Sequence, residues 1–229
     1  SEEDGGFNGG PVDIMIILEA FGTGLVVEPY IPNIVLSGNL VSKLGNKEQK
    51  EAILPNLLSG DMQLAFAFSE PQSRFDLNDV TTLAEKKGSD FKLNGFKSVV
   101  MNGPAADKLI ISARTAGSQL DENGISLFIV DRETKGVSLR DYSNIDGSKA
   151  SELTLEDVVL TKDALLGEQD KAFSTIEEVV NLATLAISAE AIGIMQKMNE
   201  LTLEYTKTRE QLSLIHILTL PTRIFVYIS

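Results

Sequence analysis

The chain has no cysteine among its 229 residues. Disulfides, thiolate catalysis and cysteine-held metals are therefore excluded. It has one histidine, His216, close to its C-terminal end. Everything before that point lacks Ser-His-Asp chemistry and histidine metal ligands. Basic residues are also scarce: 20 Lys and Arg stand against 33 Asp and Glu, a formal net charge of −13. Nucleic-acid binding needs clustered cations, so that function class is set aside. A local Arg or a group of amides can still take an anionic ligand on an acidic protein. No uninterrupted apolar run reaches the roughly 18 residues of a membrane span, and no basic, then apolar, leader opens the sequence. The expected setting is cytoplasmic or an organelle matrix, with no membrane span.

What is present is enough apolar content, 43% of residues, for a large core. Glycines 5, 6, 9 and 10 precede the first helical pattern. No Gly-Lys-Ser/Thr follows them, so they read as a loop and not as a phosphate cradle. A helix is expected from Val12 to Val27, broken around Gly22 and Gly24, and a second from Ile34 to Leu44. Asn46 and Gln49 form a capping box for a third. Pro55 should end or kink that helix, and Gly60 closes it. Residues 1–60 thus read as an incomplete helical domain.

From Asp61 the pattern changes to short apolar runs at the 8–12-residue spacing of a β sandwich or barrel. Strands are expected at 63–68, 80–85, 91–93, 96–100, 108–113, 125–130, 137–139 and 152–160. Lys87-Gly88-Ser89-Asp90, Leu93-Asn94-Gly95 and Asp121-Glu122-Asn123-Gly124 supply turns. Residues 61–170 therefore read as an all-β domain. The strand ends at Ser69-Glu70-Pro71 and Asn102-Gly103 open into polar loops, where a β scaffold presents chemistry.

A second capping box, Ser174 to Glu177, should start a helix running to about Gln211. Its apolar residues at 179–198 need neighbouring helices, and Gly193 permits one to approach closely. Residues 171–211 read as the first helix of a truncated helical bundle. The final stretch, 212–229, has one Arg, one His and no acid. It could be an apolar terminal strand, but it ignores the charge pattern before it and reads better as a non-native tail, so His216 carries no functional assignment.

The layout, an α+β chain of helices, β domain and long helix, resembles the acyl-CoA dehydrogenase flavoproteins. Ala67-Phe68-Ser69-Glu70-Pro71 looks like that family's strand ending in Thr/Ser-Glu-Pro. Gly95-Phe96-Lys97 with Asn102-Gly103 is similar to its Gly-x-Lys-x-x-x-x-Asn-Gly. Ile110-Ile111-Ser112-Ala113-Arg114, the strand Gly124 to Val130, and Leu165-Leu166-Gly167 also fit. The resemblance covers residues 1 to about 211, and its flavour is that of the bacterial pimeloyl-CoA dehydrogenase small subunit.

The resemblance implies FAD, an acyl-CoA substrate, an electron-transfer flavoprotein as acceptor and an oligomeric enzyme. It implies oxidation of the acyl-CoA to the 2,3-enoyl-CoA. It would place Phe66, Ala67, Phe68 and Ser69 along one flavin edge, and Val99, Val100 and Met101 along the other. Arg209 would reach the pyrophosphate of a neighbouring subunit's FAD; without the resemblance it reads equally as a solvated helix-end cation. Two stretches depart from the family. Phe75 stands where its CoA-contacting Ser is expected, and Arg74 offers a cation to a CoA phosphate or a carboxylated acyl group, or else pairs with Asp76 or lies in solvent. Val99 and Met101 replace a flavin-side Trp and Thr. No catalytic residue is assigned: Ala183 occupies the position where some members carry the base, and Glu177, Glu178 and Glu190 read as structural or surface acids. Two other readings stay open. One is a non-catalytic partner subunit of a heteromeric dehydrogenase; the other is a flavin-free binding or scaffold module.

Overall fold

The computed structural model describes residues 2–209. The expected tail at 212–229 lies outside the described residues. Two compact units emerge: residues Ser1–Gly9 with Val27–Thr184, and Gly10–Val26 with Leu185–Ser229.

The first unit opens with a π-helical segment, Ile31–Gly38, that runs directly into α2 (Asn39–Leu44). Together they occupy the place of the expected second helix. Next comes α3 (Lys47–Ser59). Its capping box forms as the sequence requires: Asn46 Oδ1 accepts from the Gln49 amide at 2.8 Å, and Gln49 Oε1 accepts from the Asn46 amide at 3.1 Å. Pro55 does not end this helix, which continues to Ser59 and stops at Gly60 in the left-handed region. The ring removes one helical hydrogen bond. Pro55 and Glu51 are exposed, so the freed carbonyl of Glu51 can turn to water.

The β domain follows. β1 (Leu64–Ala67) pairs in parallel with β4 (Lys108–Arg114), which pairs antiparallel with β5 (Ile125–Asp131) and through it with β8 (Leu165–Leu166). β2 (Leu83–Lys87), β3 (Asp90–Met101), β7 (Lys149–Leu160) and β6 (Val137–Ser143) form an antiparallel group. The two groups join where Leu83 meets Arg114. Phe91, Leu93 and Leu153 from one group pack with Leu109, Ile111 and Phe128 from the other.

Two expected strands, 91–93 and 96–100, are one long strand, and the expected turn at Leu93-Asn94-Gly95 is a shift of register within it. Gly95 serves close approach instead of reversal: a Cβ there would lie 2.7 Å from Thr82 Cα. β8 was not expected, because two residues carry no readable alternation.

α4 (Phe173–Thr208) starts one residue before the expected cap, Ser174, within the ordinary fraying of helix boundaries. It is long and apolar enough to cross a membrane by length and composition. This criterion is looser than an uninterrupted apolar run, since a helical window tolerates an occasional charge. The core helix of a soluble protein meets the same criterion.

In the second unit, α1 (Pro11–Gly24) packs against α4. Gly22 lies inside α1 and does not break it. A Cβ on Gly22 would lie 2.0 Å from the Glu190 carbonyl oxygen, and one on Gly193 would lie 2.0 Å from that of Glu19. The two glycines bring the helix backbones into contact, and Gln196 Nε2 donates to Glu19 Oε1 at 3.1 Å. The neighbour expected for Gly193 is thus α1. Farther along the α4 surface Ile187, Ile192, Met195 and Met198 stay exposed.

Candidate functional site

β1 ends at Ala67, and the chain continues through Phe68 and Ser69 into the loop that starts at Glu70-Pro71. Strand periodicity sends alternate side chains to opposite faces. Ala65 and Ala67 enter the β core, while Phe66 and Phe68 face the other way with their rings 4.8 Å apart. They line a cavity of about 520 Å³ together with Ser69.

The opposite wall comes from the end of β3. A bulge lies between Lys97 and Val100. It puts Val99 at a φ of 52°, a left-handed conformation that is rare for a β-branched residue. The Ser98 amide donates to the Ser69 carbonyl at 2.9 Å, tying the bulge to the end of β1. Val99 and Met101 therefore line the cavity, and Val100 is turned into the core. Pro32 and Leu36 close one side, and Val180, Asn181 and Thr184 of α4 another. The 71–79 loop contributes Arg74, Phe75 and Leu77.

Behind the cavity sits a buried ion pair. Lys97 Nζ lies 2.7 Å from Glu70 Oε1, and both side chains are fully shielded from solvent. Lys97 also donates to Ser112 Oγ at 3.0 Å. Glu70 accepts from the Thr81 hydroxyl, from the Thr81 and Thr82 amides at 2.8 and 3.0 Å, and from Gln72 Nε2 at 2.9 Å. Burial alone would raise the Glu70 pKa. The charge and hydrogen bond of Lys97, with bonds from Thr81 and Gln72, outweigh it and hold the carboxyl at about 2. For Lys97 burial wins, lowering its pKa to about 8 against the opposing pull of Glu70.

The loop beyond Glu70 is held by Arg114. Its guanidinium donates to the carbonyls of Asn78, Gln119, Asp121 and Asn123 at 2.7–2.9 Å. Asn102 ties the end of β3 to the start of β1 through Leu64 O and Gln63 Oε1, both at 3.1 Å. The motif residues Glu70, Gly95, Lys97 and Asn102 are thus the scaffold behind the cavity.

The expected site residues divide accordingly. Phe66, Phe68, Ser69, Val99, Met101, Arg74 and Phe75 come together around one cavity. The side chains of Ala67 and Val100 do not: each is one strand step out of phase and lies in the β core. Arg209 belongs to the second unit. It is exposed, hydrogen-bonds the Tyr205 hydroxyl and stands 5.2 Å from that ring's centroid, one helical turn away. Arg74 makes no ion pair with Asp76. Among the described residues no Asp or Glu lines the cavity. Glu178 is exposed and paired with Lys43 at 2.7 Å, and Ala183 is buried. No group of His, Cys, Asp or Glu suited to a metal occurs among the described residues. Sequence reasoning missed Pro32, Leu36, Leu77, Val180, Asn181 and Thr184 as lining residues. Only their helical or loop context is local; their convergence is tertiary.

The cavity suits a flat, largely apolar ring with one polar edge. Its walls are mostly aromatic and aliphatic, and the Ser69 hydroxyl has no hydrogen-bond partner among the described residues.

A mainly apolar cavity beside bulged strand ends makes this α+β chain a candidate small-molecule-binding protein. Comparison with known proteins narrows it. Residues 1–61 match the acyl-CoA dehydrogenase N-terminal domain and residues 65–158 the acyl-CoA dehydrogenase middle domain. The chain belongs to the acyl-CoA dehydrogenase family. It is 36% identical over 176 residues to an acyl-CoA dehydrogenase of Bacillus subtilis, covering 76% of this chain and 46% of that protein. It is 32% identical over 213 residues to the caffeyl-CoA reductase-Etf complex subunit CarC of Acetobacterium woodii, covering 90% of this chain and 56% of that one. Butyryl-CoA dehydrogenase from Megasphaera elsdenii has the same fold, with a TM-score of 0.84 and 28% identity over 93% of this chain and 57% of that chain. The chain spans about half the length of these relatives.

Proposed function

We propose that the protein containing this chain is an FAD-dependent acyl-CoA dehydrogenase that oxidises an acyl-CoA to its 2,3-enoyl-CoA. The observation that carries this reading is the convergence of Phe66, Phe68, Ser69, Val99 and Met101 on one cavity in a chain of this family. When bound there, FAD supplies the acceptor for the hydride from the β-carbon of the thioester. The residues of the chain bind and orient. Phe66, Phe68, Val99 and Met101 offer apolar walls that exclude water from a ring system. The Ser69 hydroxyl is free to donate to a polar ring edge and so tune its electronics. The Ser98 amide holds the Ser69 carbonyl at 2.9 Å, and the buried Lys97 fixes the adjoining Glu70. Arg74 and Phe75 face the substrate, and Arg209 contacts an FAD pyrophosphate across a subunit interface. No base is assigned among the described residues, since no carboxylate reaches the cavity.

The acceptor in this reading is an electron-transfer flavoprotein, which the name of the Acetobacterium relative supports. The protein is an oligomer of the cytoplasm, and α4 is a bundle helix and not a membrane span.

The test uses the complete natural polypeptide. It should purify yellow with a flavin spectrum, and an acyl-CoA added without oxygen should bleach that spectrum. A colourless preparation that takes up no FAD would reject the reading in favour of a binding or scaffold module. A yellow protein that no acyl-CoA bleaches would make it a non-catalytic partner subunit.

A further inference from the structure

Arg74 is the one charged side chain among the residues lining the cavity. It has no ion pair or hydrogen bond among the described residues, although acids outnumber bases in the chain by 13. Its backbone is also unusual. It sits at a φ of 48°, the left-handed region that glycine occupies freely and a side chain occupies at a cost. A non-glycine residue held in that conformation at a cavity rim is a reason to look for function. The neighbouring lining, Phe66, Phe68, Phe75 and Leu77, offers Arg74 no counter-charge. A guanidinium presents paired N–H donors that match a carboxylate or phosphate.

We propose that Arg74 is the receptor for an oxyanion carried by the acyl-CoA substrate, and so a specificity determinant of the cavity. The inference rests on the acyl-CoA reading above. The oxyanion has two sources within one ligand: a carboxylate at the far end of the acyl group, or a phosphate of the CoA.

The test is equilibrium titration of the complete flavin-loaded polypeptide and its Arg74→Gly and Arg74→Lys variants. Glycine suits the local backbone, so folding should survive that change. Three thioesters serve as probes: a carboxyl-ended acyl-CoA, the methyl-ended acyl-CoA of equal length, and the methyl-ended acyl-pantetheine, which lacks the phosphates. If the acyl carboxylate is the partner, Arg74→Gly weakens the first probe on the order of tenfold to a hundredfold and spares the other two. If a CoA phosphate is the partner, both CoA esters weaken alike and the pantetheine ester does not. Arg74→Lys should recover part of either loss. Equal affinities in wild type and Arg74→Gly for all three probes would overturn the proposal and leave the acyl-CoA reading intact. A wild type that binds none of them would overturn both.

Discussion

Lys97 and Glu70 meet at 2.7 Å with neither side chain reaching solvent, 27 residues apart in sequence. Two charges so deeply placed are tolerated because each is otherwise well bonded. Glu70 has four further donors from Gln72, Thr81 and Thr82, and Lys97 has Ser112. The pair joins the end of β1 to the bulge of β3, the two walls of the cavity.

Breaking that pair from one side leaves a buried charge alone. Lys97→Met should therefore destabilise the β domain by about 3–5 kcal/mol. Joining it with Glu70→Gln should recover a substantial part, because no unpaired charge then remains. Urea denaturation followed by circular dichroism checks this. Simple additivity of the two losses would mean that the residues do not act as a pair.

The same pair sets the acid limit of stability. The Glu70 carboxyl titrates near 2 in the fold, below its ordinary value of 4.5. A depressed carboxylate contributes stability that is complete above its unfolded pKa and lost as the pH falls through its folded one. Stability should therefore fall between about pH 4.5 and pH 2, and Glu70→Gln should flatten that part of the profile relative to wild type. Parallel wild-type and variant profiles across this window would contradict the assignment.

The paired glycines of α1 and α4 make a prediction that opposes helix propensity. Alanine in place of Gly193 should favour an isolated helix by about 1 kcal/mol. Here its Cβ would lie 2.0 Å from the Glu19 carbonyl oxygen, so the helices must separate. Overpacking of this kind costs about 1–3 kcal/mol or more, and the net change should be a loss. Gly60→Ala is the control, because no atom lies within 4 Å of its added Cβ and only the left-handed backbone opposes it. Melting curves should show a larger decrease for Gly193→Ala than for Gly60→Ala. The reverse order would reject the close α1–α4 contact.

The sequence by itself determined the element types and most of their limits. Asn46 and Gln49 capped α3 through contacts three residues apart, and alternation or short apolar runs marked seven of the eight strands because burial leaves a local imprint. Phe66, Phe68, Ser69, Val99 and Met101 were placed together by the family resemblance, and the structure gathers them around one cavity. Local pattern failed where one position had to be assigned a side. Ala67 and Val100 carry no mark that turns them inward; the register of β1 and the bulge at Val99 decide that. Gly95 reads as a turn and Gly22 as a break, yet both serve the approach of a backbone that no local window contains. The tertiary structure alone brought Lys97 to Glu70 and left Arg74 without a counter-charge, because burial and ion pairing depend on chain segments distant in sequence.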